Sequence, residues 1–76
     1  MTYELIREIF NQCSRNQMRD VFVSEIESTN LDEYVKQYLK GGNISCVKTI
    51  KDEAVTIFDI EQDGLKERLS FTKVSG

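Results

Sequence analysis

The sequence predicts an α+β fold: a two-layer sandwich in the order α-β-α-β-β-β, with a C-terminal three-strand antiparallel meander packed against two helices. Three observations carry that expectation. Apolar residues recur at helical spacing in residues 3–14 and again in 31–39. From Asn43 onward the apolar period changes to two. Within that half, Asp63-Gly64 has the chemistry of a two-residue hairpin turn. Residues 1–76 are expected to form one small globular domain. A chain of this length buries only about 60% of its unfolded surface, so a partner or a second copy would help to stabilise it.

The first segment, TYELIREIFNQCSRN, places Ile6, Ile9, Phe10 and Cys13 at the i, i+3, i+4, i+7 positions of one helical face, widened by Tyr3 and Leu5. Thr2 can cap the first turn and Glu4 suits the positive end of the dipole, while Arg15 and Asn16 fit a helix end. A helix over 3–14 follows. The next segment, RDVFVSEIES, is ambiguous. Met18, Val21, Phe22 and Ile26 mark a helical stripe, but the Val21-Phe22-Val23 triplet favours a strand over 20–27.

In STNLDEYVKQYLKGG the stripe Leu31, Tyr34, Val35, Tyr38 and Leu39 predicts the second helix. Asn30 is a good N-cap with Glu33 in capping-box position, Asp32 stands four residues before Lys36, and Gly41 can end the helix in the left-handed region. Gly41-Gly42 follows a helix C-terminus, whereas a phosphate-cradling loop precedes an N-terminus.

The meander is expected over 43–50, 54–61 and 66–74. Folding at Asp63-Gly64 pairs Phe58 with Leu69 and Thr56 with Phe71 on one face, and Asp59 with Arg68 and Glu61 with Lys66 on the other. A three-residue loop, Lys51-Asp52-Glu53, then pairs Ile50 with Ala54, Cys46 with Phe58 and Ile44 with Ile60. The predicted core face is Ile44, Cys46, Ile50, Ala54, Phe58, Ile60, Leu69 and Phe71. Lys48 and Glu67 interrupt it, which is tolerable if their tips reach water.

Several function classes are disfavoured. The net charge is -3 and the ten basic residues are scattered, which argues against nucleic acid. The longest one-signed stretch, residues 20–33, is acidic but lacks a calcium-loop signature. Histidine is absent, removing the commonest general base and zinc ligand. No catalytic, cofactor-binding or metal-binding residues are indicated, and an enzyme is not expected. The two cysteines, Cys13 and Cys46, form no CxxC and fall on apolar faces, where a free cysteine acts as a small hydrophobe. Neither a secretory h-region nor a membrane span is visible, so a soluble cytoplasmic protein with reduced thiols is expected.

One feature bears on function. The meander's second face carries Val47, Val55 and Ile57, with Val47 opposite Ile57 and Val55 beside Thr49 in this register. Three readings suit it: β-propensity on an exposed sheet, a face covered by the first helix, or an association surface with a polar rim. The expected function is non-catalytic, through contacts with a protein partner or a second copy. The alternative is a small-ligand module with a pocket between helices and sheet.

Overall fold

The computed structural model of the chain describes residues 1–12, 17–40 and 43–74. Five strands form a single antiparallel sheet: β1 (Thr2–Gln12), β2 (Gln17–Glu27), β3 (Ile44–Ile50), β4 (Val55–Gln62) and β5 (Leu65–Lys73). Their spatial order is β2-β1-β5-β4-β3. Between β2 and β3 the chain forms one helical segment, α1 (Leu31–Val35), prolonged by a 3-10 turn over Lys36–Tyr38. The expected α+β two-layer sandwich with two helices is therefore wrong. The molecule is a five-stranded sheet with a short helical strap across one face.

The error lies in the first segment, which is strand β1 and not a helix. β1 is a central strand, bonded to β2 along one side and to β5 along the other. Such a strand can carry apolar residues on both faces. Tyr3, Leu5 and Ile9 face the helix side, while Ile6 and Phe10 face away. Read along the chain, positions 6, 9 and 10 imitate a helical stripe although they belong to opposite faces. Ladder bonds with β5 over Tyr3–Lys73 to Phe10–Lys66 settle the competition, because a helix would leave β2 without its partner and β5 unpaired along one side. Cys13, the Arg15-Asn16 helix end and the Gly41 cap lie outside the described residues.

The strand expected over 20–27 is present and begins earlier, at Gln17. It pairs antiparallel with β1 at one sheet edge, without a crossover. The second helix is shorter than its stripe. The Asn30 side chain accepts from the Glu33 amide at 3.3 Å, as a cap should. The reciprocal half of the capping box is missing: the Asn30 amide donates to Ser28 Oγ at 3.2 Å, and Lys36 donates to the Glu33 carboxylate at 3.0 Å. Asp32 accordingly pairs with Lys48 at 3.1 Å and not with Lys36. At the far end the Gln62 side chain donates to the Tyr38 carbonyl at 2.5 Å and accepts from the Lys40 amide at 2.9 Å. A sheet residue thus satisfies backbone groups at the end of the 3-10 turn.

The last hairpin has the expected register: Phe58–Leu69, Thr56–Phe71, Asp59–Arg68 and Glu61–Lys66 are all partners. Asp63 (φ 51°) and Gly64 (φ 79°) both lie in the left-handed region that a type I′ turn requires. The β3–β4 pairing is displaced by two residues from expectation: Ile50 meets Thr56, Cys46 meets Ile60 and Ile44 meets Gln62. A slip of two leaves every side chain on its expected face, so the apolar pattern cannot detect it. Loop chemistry decides: the Asp52 carboxylate accepts from the amides of Ala54 (2.7 Å) and Val55 (3.0 Å), holding Ala54 in the loop.

The core forms where α1 covers the central strands. Leu5, Val35, Phe58, Ile60, Leu69 and Phe71 are each at most 2% exposed. Phe71 is its hub, meeting Tyr3, Tyr34 and Phe58 edge-on at centroid distances of 6.4, 5.8 and 5.7 Å. Half of the predicted core face is outside it. Ile44, Cys46, Ile50 and Ala54 are exposed, because the short helix does not reach the edge strand β3 or its loop. The two polar exceptions on that face have partners. Lys48 pairs with Asp32 and lies 5.7 Å from the Phe58 ring centre, and Glu67 pairs with Arg7.

Candidate functional site

The register places one set of residues on the face away from α1. Following the ladders, a single row crosses all five strands: Val23, Ile6, Ser70, Ile57, Thr49. The adjacent row is Val21, Glu8, Arg68, Asp59, Val47. On the other side of the first row lie Glu25, Glu4, Thr72 and Val55. The only helical segment among the described residues packs on the opposite face, so no element covers these rows. Coverage by a first helix, one of the three readings of this face, is thereby removed.

Val47, Val55 and Ile57 do share this face, but not as the tight group the sequence suggested. The two-residue slip sets Val47 opposite Asp59, while Ile57 lies between Thr49 and Ser70, and Val55 meets Thr72. Val47 is exposed; Val55 and Ile57 are half-buried by their sheet neighbours. Sequence reasoning missed Ile6, Phe10, Val21 and Val23 as members of the same face. The alternation Thr2, Glu4, Ile6, Glu8, Phe10 was the available signal, masked by the helical stripe.

The second row of this face carries an ion pair. Arg68 Nε donates to Asp59 Oδ1 at 2.7 Å, and Arg68 lies 5.9 Å from the Phe10 ring centre. The hydrogen bond and charge of Asp59, with a smaller contribution from Glu8, raise the guanidinium pKa further. A shallow depression of about 350 Å³ opens here, bordered by Phe10, Val47, Asp59 and Arg68.

On the helix side a recess of about 410 Å³ lies beyond the 3-10 turn, bordered by Arg7, Ile9, Tyr38 and Leu65. The Arg7 guanidinium sits 4.8 Å from the Tyr38 ring centre and is paired with Glu67. Burial pushes the Tyr38 hydroxyl up to about 12, assisted by its contact with the Tyr34 hydroxyl at 3.4 Å. A phenol so held is protonated at neutral pH. Cys46 belongs to the exposed edge strand, correcting its expected burial. Partial desolvation of its thiol, then the carboxylates of Asp32 and Asp59, push its pKa up, which disfavours the nucleophilic thiolate. Among the described residues no three His, Cys, Asp or Glu side chains converge in a way that could hold a metal ion. Among them, too, no helix is long and apolar enough to cross a membrane.

Compared with known proteins, the chain matches no family model, no curated protein and no solved structure.

Proposed function

We propose that this protein acts without catalysis, by docking its uncovered sheet face on another polypeptide in the cytoplasm. The observation that carries the reading is the row Val23, Ile6, Ser70, Ile57 spanning four neighbouring strands with no second layer over it. A sheet face bearing apolar residues gains stability by packing on another layer. Glu8 and the Arg68–Asp59 pair flank the row on one side and Glu4, Glu25 and Thr72 on the other, giving the polar rim of a modest protein contact. The exposed, unpaired thiol of Cys46 suits a reducing compartment.

Ile57→Lys tests the reading. Ile57 sits mid-row on an open face, so a lysine there can reach water in the monomer and its circular dichroism should be unchanged. A partner recovered by the wild type from an extract of its own cells should be lost by the variant, because docking would bury the new charge. Equal recovery by both, or a wild type that recovers none, refutes the proposal.

The second reading, small-ligand binding, is favoured by the recess beside Tyr38, where Arg7 could orient an anion. Its pairing with Glu67 works against that role.

A further inference from the structure

We propose that two copies of this chain associate through their β2 edges, pairing antiparallel about a two-fold axis at Phe22 to make one continuous ten-stranded sheet. This inference uses the strand edge and does not depend on the face described above.

β2 is an edge of eleven residues. Its pairing with β1 runs from Thr2–Glu27 to Gln12–Gln17 without a bulge, and it contains neither proline nor lysine. Two of the usual devices that blunt an edge strand, a proline and a bulge, are thus lacking, and the charged residues of β2 lie on either side of its apolar middle. At its middle, Val21, Phe22 and Val23 are 49%, 54% and 65% exposed. The helical strap covers the central strands and leaves this triplet open on both faces.

The backbone is poised for pairing. The Ser28 amide donates to the Met1 carbonyl at 2.9 Å. Antiparallel ladders alternate, so Ile26, Ser24 and Phe22 exchange bonds with β1, while Val21, Val23 and Glu25 turn theirs outward. A two-fold axis at Phe22 brings each Val21 against Val23 of the other copy, with these outward groups facing one another.

Side-chain chemistry selects the same axis. It sets Phe22 against Phe22 and Val21 against Val23, so the exposed triplet of each copy lies on that of the other. Moving the axis by one residue, to Val21 or Val23, brings Phe22 against Asp20 or Val21 against Glu25. On the other edge, β3, an axis at the central Val47 sets Lys48 against Cys46. Each chain offers one β2 edge, so the pairing closes as a dimer.

Charge exchange provides the test. Sedimentation of the purified wild type at tens of micromolar should show dimers. Val21→Lys and Val23→Glu should each weaken the dimer by about tenfold or more, since every substitution acts twice across the two-fold axis, while together they set lysine against glutamate. The double variant should restore dimerisation to near the wild-type level, which general damage to the fold could not do. Val23→Pro removes an outward amide at an edge position that tolerates proline, and should give a folded monomer by circular dichroism. A monomeric wild type, a dimer indifferent to these changes but lost in Ile57→Lys, or a double variant as weak as the singles would each overturn the proposal.

Discussion

Gly64 offers a clean test of how the last hairpin is fixed. Its φ of 79° lies in the left-handed region, and a Cβ built there would meet no atom within 4 Å. A substitution therefore crowds nothing, and its whole effect is backbone strain. An L-residue in this region costs about 1–2 kcal/mol, and a β-branched one is disfavoured further, toward about 3 kcal/mol. Gly64→Ala should then lose about 1 kcal/mol and Gly64→Val about 2–3 kcal/mol. Gly64→Asn should lose least, because asparagine tolerates positive φ. For a chain of this length total stability is roughly 4–11 kcal/mol, so the valine variant would forfeit a large share. Its melting temperature should fall by roughly 8–20 °C. Urea titrations followed by circular dichroism would measure the series. Three variants of equal stability would refute the reasoning, since they would show that the turn does not hold this residue at positive φ.

Two further outcomes are expected. Phe71→Ala should cost about 3–5 kcal/mol, because Phe71 is fully buried against three rings, whereas Phe22→Ala in the monomer should stay within about 0.5 kcal/mol; urea melts at sub-micromolar concentration would compare them, and similar losses would contradict the assigned core. A raised pKa means less thiolate at every pH, so in a Cys13→Ser background the labelling of Cys46 by a disulfide reagent should reach half its plateau rate above the ordinary thiol value. Asp32→Asn should move that midpoint down, and rapid labelling at neutral pH would contradict the assigned environment.

What could be read from the residues follows how local each determinant is. The Asp63-Gly64 hairpin was legible because turn geometry and two faces of cross-strand pairs agree on one register. The Asn30 cap was legible for the same reason, a side chain acting three residues away. β1 was not legible, because its identity depends on distant partners in β5, from Phe10–Lys66 to Tyr3–Lys73, and its two apolar faces fit a period of 3.6 as well as two. The β3–β4 register turned on one carboxylate, Asp52, to which apolar patterning is blind. Of the candidate face, Val47, Val55 and Ile57 were correctly placed on one side. Ile6 and Phe10 could join them only once β1 was known to be a strand.

The strand order has a consequence for how the chain assembles and yields. The β1–β2 hairpin and the β3–β4–β5 meander each close over short sequence separations, and the β1–β5 seam alone joins their ladders. Contacts that close such long loops form slowly, so the seam and the strap above it should be the last parts to zip up. Its geometry also sets the response to tension. The Val74 amide bonds to the Thr2 carbonyl at 2.9 Å, so the first and last strands begin and finish side by side. A force drawing residues 2 and 74 apart would load the β1–β5 bonds one pair at a time, peeling the sheet into its two halves from that end.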